Sequence, residues 1–354
     1  MSDISGVVKL LQLVFKRPFS AEWWNWKYRL NPAGFWGEKG DIWIAENANK
    51  EIVGHWAVIP EKIKFGSTTI TIAQEVNAAT HPGYRRLGIN KTLVRNVCSD
   101  IQNRYNFIFS FPREILYKPR LRQGWKDYRI VQFVKFLNYD QPLRRFSSND
   151  FIIWSGKTYL KMLSTLKHLS PSALLKKYAG SPIEIQEVEQ FPVEIDEFWN
   201  LARAENEFVL ERTATFLNWR FSKHLGNYQK YIGRSIRDGS ILGYLVLEKR
   251  EMLKKQNVLD IVDLYALRSE EKLLSNFVDM AVKIAENEEL EQVWCWVPPW
   301  HRYATILSKK GFISPHRLFR LLKKYQPRVI FYQLSRKGTI PKKQKWYYTL
   351  ADTL

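Results

Sequence analysis

The sequence predicts an α/β protein made of two copies of one fold, each a mixed, mostly antiparallel central sheet flanked by helices. Three observations predict it. The 354 residues exceed one ordinary domain and suit two of about 150 residues plus connections. Stretches of period-two hydrophobic alternation take turns along the chain with stretches of helical period. The two halves also repeat one another in order and spacing, which is the mark of a duplicated unit.

The repeat is read residue by residue. Trp23-Trp24-Asn25-Trp26-Lys27-Tyr28 matches Phe216-Leu217-Asn218-Trp219-Arg220-Phe221 class for class. A glycine-containing strand follows each, Ile52-Val53-Gly54-His55-Trp56 and Ile241-Leu242-Gly243-Tyr244-Leu245. The strand Phe107-Ile108-Phe109-Ser110-Phe111-Pro112 has its counterpart in Val293-Trp294-Cys295-Trp296-Val297-Pro298. Each then reaches a glycine–aromatic pair, Gly124-Trp125 and Gly311-Phe312. Within the first copy, alternation marks strands at 41–46, 52–59 and 68–79. A helix follows from Asn90 to Arg104, with Leu93, Val94, Val97 and Ile101 on one face. The expected division is 1–139 for the first copy, 140–182 for a basic linker, 183–333 for the second copy and 334–354 for a basic tail. Trp346-Tyr347-Tyr348 in that tail suggests that it docks back on the body.

Composition narrows the function classes. With 45% hydrophobic and 14% aromatic residues the chain can bury cores, which excludes a disordered protein. Two cysteines, Cys98 and Cys295, cannot form a disulfide framework or a multi-thiolate metal site. The six histidines show no metal spacing, so no metal is expected. No apolar run is long enough to span a bilayer, and the amphipathic start at Val7–Lys16 lacks a cleavage site. The expected location is the cytoplasm. The net charge of +20 is uneven, +10 over residues 1–150 and +1 over 181–333. Such a field attracts a polyanion, whether nucleic acid, acidic lipid or a phosphate-rich cofactor.

One stretch decides among these. Thr80-His81-Pro82-Gly83-Tyr84-Arg85-Arg86-Leu87-Gly88-Ile89-Asn90-Lys91 lies between a strand and an amphipathic helix. A strand–turn–helix of this kind aims free backbone N–H groups and a helix dipole at one point. Gly88 lets the backbone approach an oxyanion closely, and Arg85, Arg86 and Lys91 add positive charge. The ligand these residues fit is a pyrophosphate.

The stretch resembles the acetyl-CoA loop of the GNAT acetyltransferase superfamily, Gln/Arg-x-x-Gly-x-Gly/Ala after the fourth strand. Arg85 takes the first position and Gly88 the fourth, while Asn90 replaces the usual Gly or Ala at the sixth. The resemblance covers residues 20–138, and the repeat extends it weakly to about 330. It implies that Arg85, Arg86, Leu87, Gly88, Ile89, Asn90 and Lys91 hold the pyrophosphate of acetyl-CoA or another acyl-CoA. It further implies that Ala79 and Thr80 flank the pantetheine arm where two strands splay apart. In the second copy the equivalent stretch is Arg268-Ser269-Glu270-Glu271-Lys272, without glycine and with two acids, so no CoA is expected there.

Acyl transfer to an amine needs a base for the amine and an acid for the departing thiolate. Alternation places Glu75 and Asn77 on one face of the central strand, opposite Val76, and Glu75 is the candidate base. The superfamily's usual acid is a Tyr four residues before the glycine–aromatic pair, where this chain has Arg120. Tyr117 is the substitute candidate. Asp260 and Asp263 read as surface carboxylates, with a place facing the substrate groove as the alternative. The expected function is therefore acyl-CoA-dependent N-acyl transfer, most simply N-acetyl transfer, to a primary amine of a small molecule, an amino sugar or an aminoacyl group. The rival is a non-catalytic binder of nucleic acid or acidic surfaces on the same scaffold. No nucleic-acid motif is present, so nucleic acid is not the expected partner; the oligomeric state is open.

Overall fold

The computed structural model describes residues 2–34, 41–138, 154–156, 158, 182–222, 226–252, 256–314, 327–334 and 346–353. The expected linker falls almost wholly outside them. Alternating hydrophobic runs form strands, and the helical stretches between them cover the sheet faces. The first half runs α1 (Ser2–Phe15), α2 (Ala21–Tyr28), β1 (Ile42–Glu46), β2 (Ile52–Phe65), β3 (Thr68–Thr80), α3 (Ile89–Ile101), β4 (Phe107–Ser110), α4 (Glu114–Arg122), β5 (Lys126–Arg129) and β6 (Val131–Phe136). The second runs β7 (Ile183–Glu187), α5 (Ile195–Ala202), β8 (Phe208–Leu210), α6 (Ala214–Arg220), β9 (Tyr228–Ser235), β10 (Ile241–Met252) and β11 (Gln256–Ala266). It ends with α7 (Glu271–Asn287), β12 (Gln292–Val297), α8 (Arg302–Lys309), β13 (Arg328–Gln333) and β14 (Trp346–Tyr347).

Two mixed sheets result. One has the order β14-β8-β2-β3-β4-β13-β5, with β1 also on β2; the other is β6-β12-β11-β10-β9-β7. In each, two antiparallel pairings are followed by one parallel pairing, β3 with β4 and β11 with β12. The next strand in each sheet comes from the other half of the chain. β13 inserts antiparallel between β4 and β5, and β6 pairs antiparallel with β12. The matched tryptophans meet as well: Trp26 and Trp219 stack at 5.0 Å, and each indole N–H donates to the other's backbone carbonyl at 2.9 and 3.0 Å.

The first sheet has a distinct core on each face. Val7, Leu10 and Leu11 of α1 pack with Trp24 and Tyr28 of α2 on Ala57, Ile59 and Val76. Leu93, Val94 and Val97 of α3 pack on Trp56, Val58 and Ala73 from the other side. The apolar stripe of the N-terminal helix thus faces its own sheet. Gly54 fixes how closely α3 sits: a Cβ there would lie 2.7 Å from Ile89 Cγ2 and 3.0 Å from Ala45 Cβ. Trp346, Tyr347 and Tyr348 are buried, with β14 lying parallel to β8, so the tail's aromatic end docks on the body. Asp260 and Asp263 are 1% and 0% exposed, which corrects their reading as surface carboxylates. Asp260 accepts from Arg250 at 2.7 Å and Asp263 from Arg212 at 2.7 Å; burial of a carboxylate requires such partners.

Candidate active site

β3 and β4 run parallel and pair only at Ala73↔Ile108 and Gln74↔Phe109. Toward its end β3 acquires a bulge. Its register against β2 passes from Val76↔Ala57 to Ala79↔His55, so Asn77 and Ala78 together oppose Trp56. Asn77 has φ +52°, a left-handed conformation that Asn tolerates better than most residues. The His55 ring Nδ1 bonds the Asn77 carbonyl at 2.9 Å, and Tyr28 donates its hydroxyl to Asn77 Oδ1 at 3.1 Å. A bulge turns every later side chain over. Ala79 packs with the α1–α2 core, while Ala78 joins the α3 core. Asn77 therefore reaches toward α2 and does not share the face of Glu75, contrary to the expectation from alternation.

Beyond the bulge the chain makes a short 3-10 turn, Pro82–Tyr84, capped by His81 Nδ1, which accepts from the Gly83 N–H at 3.2 Å. Arg86 at φ +67° and Gly88 at φ +81° bend the backbone into α3. Gly88 is the N-cap and offers no side-chain cap. The N–H groups of the first turn of a helix have no intrahelical partner, and here no side chain fills that role from the cap position.

These elements enclose a cavity of about 810 Å³. Its walls include Ala78, Ala79 and Thr80 from β3, and Arg85, Arg86, Gly88, Ile89, Asn90 and Lys91 from the loop and the start of α3. Val14 and Phe15 of α1 close one side, and Arg113, Ile115, Leu116, Pro119 and Arg122 of α4 close another. Of the residues expected to hold the cofactor, Ala79, Thr80, Arg85, Arg86, Gly88, Ile89, Asn90 and Lys91 therefore share one cavity. Leu87 lies between two wall residues but points outward, 69% exposed. The α1 and α4 walls were not anticipated, because nothing in their local sequence marks them; only packing brings them to the loop. Volume, unpaired helix-start N–H groups, flanking guanidinium groups and apolar walls together fit a phosphate-bearing ligand with a less polar arm.

The two catalytic candidates lie elsewhere. Glu75 is buried and forms an ion pair with Arg120, both carboxylate oxygens accepting from the guanidinium. Arg120 also donates from Nη1 to Asn90 Oδ1 at 3.3 Å and to Gln123 Oε1 at 3.1 Å. Its guanidinium lies against the Trp56 and Trp125 rings, 5.9 and 5.5 Å from their centroids. Tyr117 is not among the cavity walls. Its hydroxyl donates to Asp127 Oδ2 at 2.9 Å beneath the Arg328 guanidinium, and burial together with Asp127 pushes its pKa up.

On the opposite face of the same strands sits a second buried polar group that sequence reasoning missed. His55, Glu61 and Gln74 are at most 1% exposed, and His55 Nε2, Glu61 Oε1 and Gln74 Oε1 have no hydrogen-bond partner among the described residues. Burial lowers the His55 pKa to about 4 and raises that of Glu61 to about 8. Lys27, also buried, is pushed well below its ordinary value by desolvation and by Arg17 and Arg220. Among the described residues no group of three or more His, Cys, Asp or Glu is placed to hold a metal, and no helix is long and apolar enough to cross a membrane.

Comparison with known proteins bears on the fold that carries this site. Residues 1–125 match the family model described as "Acetyltransferase (GNAT) domain". No curated protein sequence matches the chain. Among solved structures, the fold resembles a GCN5-related N-acetyltransferase from Anabaena variabilis, with TM-score 0.59 and 11% identity over 94% of this chain and 71% of that one. It also resembles a probable N-acyltransferase from Enterococcus faecalis, with TM-score 0.60 and 11% identity over 94% and 70%. A third likeness is to Saccharomyces cerevisiae N-myristoyltransferase with bound myristoyl-CoA, with TM-score 0.56 and 11% identity over 94% and 79% of the two chains. At such identities the likeness is one of fold. Residues 1–125 are thus similar to a GNAT acetyltransferase domain, and the described residues share the mixed α/β fold of these solved structures.

Proposed function

We propose that the protein is an N-acyltransferase that moves an acyl group, most simply acetyl, from CoA to a primary amine of a small molecule, an amino sugar or an aminoacyl group. The observation that carries this reading is the uncapped start of α3 at Gly88, opening into the basic cavity where β3 and β4 diverge. In this reading Gly88, Ile89, Asn90 and Lys91 present backbone N–H groups to the pyrophosphate, and Arg85 and Arg86 neutralise it. Ala78, Ala79 and Thr80 leave room for the pantetheine arm.

The thioester supplies the activated acyl group, and this chain's residues orient it. The bulge at Asn77–Ala78 interrupts the β2 register close to where the β3–β4 pairing ends. Backbone N–H groups of β3 past that pairing would polarise a carbonyl oxygen as charge develops on it. Glu75 and Tyr117, the residues expected for proton transfer, already hold Arg120 and Asp127 respectively. The reading therefore gives Glu75 a positioning role and relies on the low basicity of the leaving thiolate. The proposed division of labour keeps 1–139 as the CoA-binding unit and 183–333 as a unit without CoA, whose α7 begins at Glu270-Glu271.

Titration of the protein with acetyl-CoA in a calorimeter tests the reading. One site per chain is expected. Gly88→Glu should weaken binding by at least about a hundredfold, because a carboxylate then stands where the pyrophosphate must lie. Unchanged affinity in that variant, or two sites per chain, overturns the assignment.

A further inference from the structure

Three large aliphatic side chains stand in the open on the elements that wall the cavity. Leu87 is 69% exposed, Ile115 71% and Leu13 47%. They come from the loop before α3, from α4 and from α1, each of which contributes wall residues. Leu87 stands between wall residues Arg86 and Gly88, Ile115 is itself in the wall, and Leu13 adjoins wall residues Val14 and Phe15. Leu13 itself lines a neighbouring cavity of about 540 Å³ that shares Tyr84 with the first. Single exposed leucines are ordinary. Three on elements that share one cavity are less so, and they do not help to hold a phosphate.

Cations alternate with them. Lys16, Arg95 and Lys118 are exposed and are not among the walls of the 810 Å³ cavity, so they remain available after a CoA has met Arg85, Arg86 and Lys91. Acids are few on these segments: residues 12–18 and 81–99 contain none, and 113–122 contain Glu114 alone; Glu46 and Glu51 line the neighbouring cavity together with Lys9 and Lys50, and Glu46 pairs with Lys50 at 3.9 Å. Aliphatic tips set among basic side chains match a surface that is anionic in its outer layer and apolar just beneath. A nucleic acid would meet the charge but would gain nothing from the aliphatic tips. Among the described residues the two aromatic rings in these walls are engaged: Phe15 lies under the Arg113 guanidinium, and Tyr84 accepts from Asn47.

We propose that this surface docks on an anionic lipid bilayer, its cations engaging headgroup phosphates while Leu13, Leu87 and Ile115 enter the acyl boundary. The cavity then opens at the membrane surface, where an acyl donor with a long chain, or an acceptor anchored in lipid, is concentrated. The docking surface stands whether or not the cavity holds acyl-CoA, and calorimetry with acetyl-CoA reads that question separately.

The test is flotation of the full chain with vesicles of phosphatidylcholine alone and with vesicles rich in phosphatidylglycerol. Binding is expected only to the latter, weakening as salt rises from about 100 mM and screening shortens. The variant L13S/L87S/I115S should bind at least about tenfold less tightly, since burial of each side chain is lost. If that variant does not fold by circular dichroism, the charge reversal K16E/K118E, outside the cavity, should produce a similar loss. Wild-type failure to bind anionic vesicles overturns the proposal. So does unaltered vesicle binding by L13S/L87S/I115S, which would reduce the effect to charge alone. Tighter binding to a labelled RNA or DNA oligonucleotide than to vesicles at the same salt would assign the surface to nucleic acid instead.

Discussion

Two departures of this chain from the GNAT pattern, one in the loop and one in α4, touch each other. Asn90 stands where Gly or Ala is usual and Arg120 where Tyr is usual, and the Arg120 guanidinium bridges Asn90 and Glu75. Each residue was legible in the sequence as an oddity. Their contact was not, because it joins positions thirty apart through a fold that no local pattern encodes. The same contact changes what Glu75 can do. A buried carboxylate with both oxygens engaged by a guanidinium is an anchor, and removing one partner strands a charge in the core. Glu75→Gln is expected to cost about 3–5 kcal/mol of stability, as is Arg120→Met. The double variant should cost less than the two singles combined, because neither charge is left alone. Urea unfolding of the four proteins measures this. Full stability in Glu75→Gln, with turnover lost at neutral pH and recovered at high pH, would return Glu75 to the role of base.

At the scale of elements, the strand–loop–helix that builds the cavity was readable because its signals are local: glycine, clustered arginines and the switch from period two to a helical period. The expected helix from Asn90 to Arg104 and the observed α3, Ile89–Ile101, nearly coincide. The bulge in β3 was not readable. Thr68–Thr80 alternates well enough to pass for a regular strand, and only the offset against β2 reveals the extra residue. The faces of β2 were also hidden, since His55 and Glu61 sit among hydrophobic neighbours and look like interruptions. Their burial makes a pH prediction. Glu61 titrates at about 8 when folded against its ordinary 4.5. The folded state therefore holds more protons than the unfolded chain across that window, and stability falls as pH rises through it. His55, lowered from 6.5 to about 4, works the other way, with stability rising between about pH 4 and 6.5. Above that the Glu61 contribution acts without its opposition. Glu61→Gln should thus gain on the wild type by up to a few kcal/mol between pH 5 and 8, since a tenfold change in proton affinity is worth about 1.4 kcal/mol. Melting curves across that range measure the difference. Parallel curves for the two proteins would mean that Glu61 ionises freely.

The whole molecule is tied together by strands and charges that cross between its halves. Among the described residues β5 has β13 as its one neighbour in the sheet order, and β13 lies about two hundred residues further along, as in Asp127↔Ile330. β6 extends the other sheet in return. The tail adds a third tie. Arg212 pairs with Asp263 and Asp352, Arg220 donates to the Ala351 carbonyl at 2.7 Å, and Gln74 donates to the Asp352 carbonyl at 2.8 Å. The segment around Asp352 therefore contacts both sheets through buried charges, Arg212, Arg220, Asp263 and Asp352. The repeat in the sequence suggested two units that each close their own sheet, and pairing between distant strands is what a one-dimensional pattern reports least well. Interlocked sheets should not melt separately, because loss of either half removes a strand from the other and exposes its hydrogen-bonding edges. A fragment of residues 1–139 lacks β13, leaving the β4 edge and all of β5 unpaired, and is expected to stay unfolded or aggregate when expressed alone. Expressed together with residues 183–354, it should be recovered as a soluble complex. Calorimetry of the intact chain should show one cooperative transition with matching calorimetric and van't Hoff enthalpies. Two resolved transitions, or a folded and soluble 1–139 fragment, would mean that the exchanged strands decorate two independent domains and do not bind them into one.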